Sequence, residues 1–178
     1  MTDRQAQNIA LIGFMGVGKT SIGRALARLL NMDFVDADAE IEKISKMPIP
    51  RIFEIHGEGH FRCLEYEYYR EIQSLRNTVI ATGGGAILDE RTRAGLRENA
   101  LIVYLVASPK AALARIGNDN SRPLLQTGNK SKKISALMAE RDPLYRQTCH
   151  VAIDTDSLDI DTCAKKISQL HFELTKRP

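Results

Sequence analysis

The sequence has few cysteines, and none of them is arranged as a disulfide framework or a zinc site would require. Cys63, Cys149 and Cys163 are an odd number, and no two of them have the CxxC spacing. The sequence therefore does not indicate a small secreted protein held together by disulfide bonds. We expect the three thiols to be buried or idle in a reducing cytosol.

The sequence also lacks an apolar run long enough to span a membrane, and it lacks a large excess of charge. Residues 1–8 are polar, so nothing there suggests export or insertion. The formal net charge is only +3, the basic residues are scattered among 22 acidic ones, and no basic stripe with interleaved aromatics is present. We therefore expect a cytoplasmic protein, monomeric and without an obligate protein partner, that binds neither nucleic acid nor membranes.

Hydrophobic residues are plentiful enough for one large core. They make up 43% of the 178 residues, so we expect a single domain over residues 1–178. Short apolar runs alternate with segments of helical period, which predicts a three-layer α/β/α fold with a five-stranded parallel sheet covered on both faces. The predicted strands are residues 9–12, 34–35, 78–81, 101–106 and 151–153, and the predicted helices are residues 19–30, 39–45, 61–75, 90–98, 109–115, 132–146 and 159–174.

The first predicted strand leads into a complete phosphate-binding loop, GFMGVGKT, at residues 13–20. Its glycines allow a tight turn in which successive N–H groups point at an anion. Lys19 is expected to reach the β- and γ-phosphates, Thr20 offers a hydroxyl to Mg²⁺, and the following helix presents its positive end. The predicted nucleotide-binding residues here are Gly13, Gly16, Val17, Gly18, Lys19, Thr20 and Ser21.

Two carboxylates, Asp36 and Asp38, follow the second predicted strand. Residues two apart at a strand end project to the same side, so both are expected to face the crevice where open α/β sheets bind ligands. Two carboxylates beside a phosphate loop suit phosphoryl transfer, in which one can organise water on Mg²⁺ and the other can accept the proton of the hydroxyl that receives the phosphoryl group. Helix capping explains the pair equally well, because Asp is a preferred N-cap residue.

Three further features lie beyond the phosphate loop: a run of three glycines, and two separate arginines. A turn needs at most two glycines, so residues 83–85 suggest that a ligand approaches the backbone closely. Arg141 falls on the apolar face of its predicted helix, where it either snorkels to the surface or meets an anionic partner. Arg62 lies off the apolar stripe of its helix, and the sequence alone favours a solvated arginine paired with Glu58 or Glu65.

Residues 117–131 break the alternating pattern. This segment, GNDNSRPLLQTGNKS, is rich in Gly, Asn and Ser and is too polar to pack, so we predict a loop long enough to be a lid. We expect the loop to close when phosphates are bound and to carry Arg122 towards them.

Taken together, these residues resemble the shikimate kinase family, whose members phosphorylate the 3-hydroxyl of shikimate with ATP. The similarity covers nearly the whole chain, and the ordered set of motifs is specific to that family. The motifs are GFMGVGKT at 13–20, DAD at 36–38, IFEIHGEGHFRCLE at 52–65, GGG at 83–85, RPLL at 122–125 and RDPLYR at 141–146.

The resemblance implies a P-loop kinase fold of the nucleoside monophosphate kinase type, with a substrate-binding segment at about 36–65 and a lid at about 117–131. It implies that ATP and shikimate give ADP and shikimate 3-phosphate, with Mg²⁺ as cofactor, in chorismate and aromatic amino-acid biosynthesis. It also implies roles for individual residues. Lys19, Asp38 and Arg122 would be catalytic, Arg115 and Arg122 would contact ATP, Thr20 and (through water) Asp36 would hold Mg²⁺, and Asp38, Arg62, Gly83, Gly84, Gly85 and Arg141 would bind shikimate.

Two alternatives remain open at this point. Another small-metabolite kinase of this fold, such as a gluconate kinase, would share the phosphate loop but is not expected to combine GEGHFRCLE with GGG. A catalytically silent relative that binds nucleotide or a protein partner would be expected to lose Lys19, Thr20 or Asp38, and all three are present.

Overall fold

A parallel sheet lies at the centre of the protein. The structure, a computed structural model, describes residues 8–117, 123–125 and 129–175. Within these ranges five strands pair in the order β2-β3-β1-β4-β5, and every pairing is parallel. The predicted five-stranded parallel sheet is therefore confirmed. Its strands are β1 (Asn8–Ile12), β2 (Asp33–Asp36), β3 (Thr78–Ala81), β4 (Ala100–Val106) and β5 (Val151–Asp154).

Helices cover both faces of this sheet. Successive residues of β1 alternate between two buried clusters, because neighbouring side chains of a strand point to opposite faces. Ile9 and Leu11 pack in one cluster, whereas Ala10 and Ile12 pack in the other. This gives the three predicted layers. The helices in the described ranges are α1 (Lys19–Leu30), α2 (Ala37–Ser45), α3 (Ile49–Glu71), α4 (Glu90–Asn99), α5 (Pro109–Ile116), α6 (Lys130–Thr148) and α7 (Ile160–Thr175).

Helix α3 begins twelve residues earlier than the sequence predicts, at Ile49 rather than at Phe61. Pro48 is its N-cap and Pro50 lies in its first turn, where a missing N–H costs nothing. Gly57 interrupts the helix with φ 79° and ψ 171°, so α3 is two helical segments joined by a kink. Gly57 therefore separates two helical segments, of which the sequence predicts the second and not the first.

The chain topology brings the functional motifs to one edge of the sheet. The phosphate loop follows β1, Asp36 ends β2, and the glycine run follows β3. These three strands are neighbours, with Leu11 of β1 and Asp36 of β2 both in register with Ala81 of β3. In the part of the chain that the structure describes, no helix is both long enough and apolar enough to cross a membrane.

Candidate active site

A cavity of about 1340 Å³ lies where the phosphate loop, the start of α2, α3, the glycine run and α6 meet. Two predicted site residues, Gly13 and Gly83, belong to the same loops but do not line it. Arg122 and most of the predicted lid lie outside the described residues. The predicted site residues that line the cavity are Gly16, Val17, Gly18, Lys19, Thr20, Ser21, Asp36, Asp38, Arg62, Gly84, Gly85, Arg115 and Arg141.

The glycines of the phosphate loop all have positive φ, as the predicted tight turn requires. The angles are 143° at Gly13, 77° at Gly16 and 97° at Gly18. Packing adds a second reason that the sequence did not suggest. A Cβ on Gly13 would lie 2.6 Å from the carbonyl oxygen of Leu105, and one on Gly16 would lie 2.9 Å from that of Ala112. The loop therefore packs closely against β4 and α5, and no residue larger than glycine fits at positions 13 and 16.

The side chain of Lys19 folds back onto the phosphate loop. Its Nζ donates to the carbonyl oxygens of Gly13 at 2.7 Å and Phe14 at 2.8 Å. A protonated amine so placed can exchange these carbonyl partners for the oxygens of a phosphate without a change of backbone.

Asp36 caps α2 and also contacts the phosphate loop. Its Oδ1 accepts a hydrogen bond from the N–H of Ala39 at 3.4 Å, which makes it the N-cap of α2. Its Oδ2 accepts one from Oγ1 of Thr20 at 2.6 Å. The pair offers hard oxygen donors of the kind that Mg²⁺ uses together with nucleotide phosphates. No group of three or more His, Cys, Asp or Glu residues within the described ranges could hold a metal by itself.

Asp38 faces the cavity for a different reason from the one that the sequence suggested. It lies in the first turn of α2 and not at the end of β2, so strand alternation does not place it beside Asp36. The helix directs its carboxylate at the glycine run instead. Oδ1 lies 2.7 Å from the point that a Cβ on Gly83 would occupy. A glycine is therefore required there to let the carboxylate approach the backbone.

Arg62 has the ion-pair partners that the sequence predicts. Nη1 donates to Oε2 of Glu65 at 2.7 Å and Nη2 to Oε1 of Glu58 at 2.8 Å. The side chain is only 24% exposed, so it is not the solvated arginine that these spacings alone favoured. Its guanidinium lies against Gly85, where a Cβ would stand 2.6 Å from Nη2. The ion pairs thus hold Arg62 at the cavity wall.

Glu65 is a site residue that sequence reasoning treated only as a partner of Arg62. It is 4% exposed, and its Oε1 accepts no hydrogen bond from any residue in the described part of the chain. Burial raises the pKa of this carboxyl to about 7, against the opposing effect of the Arg62 charge, and the Asp38 carboxylate raises it further. The i,i+3 spacing from Arg62 was the signal for its partner, but no signal in the sequence showed its burial.

Arg141 is buried, which excludes the snorkelling alternative. It is 4% exposed and its guanidinium lies 6.0 Å from the ring centre of Phe14. Nη1 donates to the carbonyl oxygen of Gly84 at 3.3 Å, whereas Nε donates to none of the described residues. A buried and incompletely paired guanidinium is suited to an anionic ligand, because the ligand would supply the missing acceptors.

The far end of the cavity is formed by α5 and the segment after β5. Arg115 donates to Oγ1 of Thr155 at 3.0 Å and to its carbonyl oxygen at 2.6 Å. Leu158, Asp159 and Ile160 complete this wall. The sequence motifs assigned no role to these last three residues, which match no motif and reach the site only because β5 ends there.

The sequence model of the family described as shikimate kinase matches residues 15–171. A shikimate kinase of Caldicellulosiruptor saccharolyticus is 47% identical over 166 residues, which cover 93% of this chain and 96% of the relative. The solved structure of shikimate kinase from Acinetobacter baumannii in complex with shikimate superposes with a TM-score of 0.93 at 41% identity, covering 97% of this chain and 96% of that one. A gluconokinase from Sinorhizobium meliloti, at 20% identity and a TM-score of 0.59, covers 96% and 97% and shares the fold alone.

Proposed function

The chain belongs to the shikimate kinase family, and we propose that its cavity transfers the γ-phosphoryl of ATP to the 3-hydroxyl of shikimate, giving shikimate 3-phosphate and ADP. One observation carries the proposal beyond family membership. The cavity joins a phosphate-binding loop, the nucleotide wall, to a carboxylate, two arginines and a glycine run, the acceptor wall. A nucleotide and a small acidic polyol are the two ligands that these walls suit.

The nucleotide wall neutralises charge. We propose that Lys19 exchanges its two carbonyl partners for oxygens of the β- and γ-phosphates. The first N–H groups of α1 follow Gly18, a cap residue that has no side chain to accept from them, and they would point at the same anion. Arg115 and the segment after β5 would border the base. These contacts act mainly by positioning and by electrostatic stabilisation, which is most of what phosphoryl transfer needs.

Mg²⁺ fits the oxygen donors beside this wall. By the family resemblance, Thr20 would bind the ion directly and Asp36 through water. The 2.6 Å hydrogen bond between their side chains supports this by bringing the two oxygen donors together. When bound, the ion neutralises charge on the β- and γ-phosphates.

The acceptor wall recognises an acid and its hydroxyl. We propose that Arg62 and Arg141 bind the shikimate carboxylate, since guanidinium groups match carboxylates in shape and charge. Gly84 and Gly85 would let the ring approach the backbone. Asp38 would orient the 3-hydroxyl and accept its proton as the phosphoryl is transferred. The acceptor site would thus draw on the 36–65 segment and also on the loop after β3 and on α6. We propose a monomeric, cytoplasmic enzyme of aromatic amino-acid biosynthesis.

A coupled assay of ADP release tests the substrate. Shikimate should support turnover, whereas gluconate and nucleoside monophosphates should give only the background of ATP hydrolysis. Shikimate methyl ester is the matched control, because it keeps every hydroxyl and loses the carboxylate. Equal rates with the acid and the ester would exclude the arginine clamp, and turnover of gluconate in place of shikimate would favour the rival substrate class.

A further inference from the structure

Two buried tyrosine hydroxyls hold the backbone of the glycine run from different helices. The N–H of Gly83 donates to Oη of Tyr69, on α3, at 3.0 Å. Oη of Tyr145, on α6, donates to the carbonyl oxygen of Gly84 at 2.5 Å. The loop that ends β3 is therefore attached to both helices that carry the arginines of the acceptor wall.

The hydroxyls have no packing role that would explain them. Tyr69 is 4% exposed and Tyr145 is 1% exposed, and both lie in an apolar cluster where phenylalanine would fill the same space. A buried hydroxyl is costly unless it is hydrogen-bonded, so its partner matters. Burial raises the pKa of both phenols, which keeps them protonated at neutral pH.

The geometry of a peptide unit links these contacts to the cavity. The carbonyl of Gly84 and the N–H of Gly85 belong to one planar trans peptide, so holding the oxygen fixes the opposite direction of the N–H. Gly85 lines the cavity beside Arg62. The Gly84 oxygen also accepts from Nη1 of Arg141 at 3.3 Å. The Gly84 carbonyl therefore fixes the orientation of two groups at the acceptor wall, the Gly85 N–H and the Arg141 guanidinium.

We propose that Tyr145 and Tyr69 are positioning residues of the acceptor site, an inference that rests on the proposed function. Three adjacent glycines have the widest conformational freedom of any sequence, and they need an external constraint to present one surface to a ligand. The two hydroxyls supply that constraint without touching the substrate. Their loss should weaken binding of the acid and leave nucleotide binding unchanged.

The test compares Tyr145→Phe and Tyr69→Phe with Tyr104→Phe as the matched control. Tyr104 stacks on Tyr145 with ring centres 4.9 Å apart, but its hydroxyl donates to Asp142 and not to the glycine run. Each site variant should raise the KM for shikimate about fivefold to tenfold, the usual worth of one hydrogen bond. The KM for ATP should stay within about twofold of wild type, and Tyr104→Phe should change neither constant.

The amide NMR resonances of residues 83–85 give a second readout that needs no substrate. They should shift in Tyr145→Phe and Tyr69→Phe and stay in place in Tyr104→Phe. Unchanged resonances, or equal losses for shikimate and ATP that follow a lowered Tm, would overturn the positioning role. Wild-type enzyme that fails to turn over shikimate would instead overturn the proposed function, and the inference with it.

Discussion

The phosphate loop of the nucleotide wall comes from one short stretch of chain, whereas the acceptor wall is gathered from four separate elements. Residues 13–20 follow β1 directly and form the turn and the start of α1, although Gly13 and Gly16 also make close contacts with β4 and α5. The acceptor wall takes Asp38 from α2, Arg62 from α3, Gly84 and Gly85 from the loop after β3, and Arg141 from α6. The turn of the phosphate loop is encoded by consecutive residues. The residues of the acceptor wall come together only when the whole sheet has assembled.

The two walls also differ in how their charges are satisfied. Lys19 donates to two carbonyl oxygens of its loop. At the acceptor wall, Glu65 and Arg141 are almost fully buried, and each has a polar atom that makes no hydrogen bond to any described residue. The acceptor wall therefore carries buried polar atoms that no described residue satisfies. Substitutions of Arg62 and Arg141 should therefore affect acceptor binding and stability, whereas substitutions of Lys19 and of Asp38, the proposed proton acceptor, should affect the chemistry.

The largest effect should come from Lys19→Ala. We expect a folded protein whose kcat falls by about 10³-fold or more, because a positive charge directed at a transferring phosphoryl is worth about 10³ to 10⁵ in rate. Lys43→Ala, which removes an exposed lysine of α2 paired with Glu40, is the control and should keep full activity. Near-normal turnover of a folded Lys19→Ala variant would contradict the role of the nucleotide wall.

Asp38→Asn should have the next largest effect. The change keeps the shape of the side chain beside Gly83 and removes the proton acceptor, so kcat should fall about 10²- to 10⁴-fold with the KM for ATP little changed. Asp33→Asn, at the exposed start of β2, is the control. A loss of thermal stability with normal kcat would instead show that Asp38 serves only the start of α2.

Arg141→Ala should separate the two walls. It leaves a bound carboxylate short of a partner and should weaken shikimate binding by about 2 to 5 kcal/mol, while ATP binding is unaffected. Arg141→Lys keeps the charge without the planar fork and provides a second variant if the alanine protein is unstable. Arg146→Ala, on the same helix but with an exposed side chain paired with Asp142, is the control. Parallel losses of affinity for both substrates would contradict a division between the walls.

The same contrast explains what could be read from the sequence. The order of strands and helices, the phosphate loop and the ion pairs of Arg62 follow from local periodicity and spacing, and the structure confirms them. The first segment of α3, from Ile49 to the kink at Gly57, was not predicted, whereas the helical segment beyond the kink was. The burial of Glu65 could not be predicted, since it depends on elements distant in sequence.

Capping and ligand binding also could not be separated from sequence alone. Asp36 and Asp38 have the same chemistry and nearly the same place in the chain. Only the backbone decides that Asp36 caps α2 and receives Thr20, whereas Asp38 points at Gly83. Assigning the dispersed acceptor residues to shikimate rested on a resemblance to a family, because no single motif contains them.

A smaller effect than these three is expected on stability, and it concerns Glu65, which is buried between the Arg62 and Asp38 charges. Its pKa of about 7 exceeds the ordinary value of 4.5, so between these pH values the folded protein binds a proton that the unfolded chain has lost. The contribution of Glu65 to stability is therefore fully present below about pH 4.5 and is lost as pH rises through about 7. The loss corresponds to at most about 3 kcal/mol.

Urea denaturation of wild type and Glu65→Gln from pH 5 to pH 8 would measure this loss of stability. The amide does not titrate, so the free energy of unfolding of the variant should rise relative to that of wild type as pH increases. Glu58→Gln is the matched control, because Glu58 also pairs with Arg62 but is about half exposed, where an ion pair contributes little to stability. If the ion pair with Arg62 outweighed burial, the pKa of Glu65 would be depressed. The pH dependence of the stability difference would then reverse, and wild type would become more stable relative to the variant at higher pH. The charges of the acceptor wall would then be paired as fully as those of the nucleotide wall.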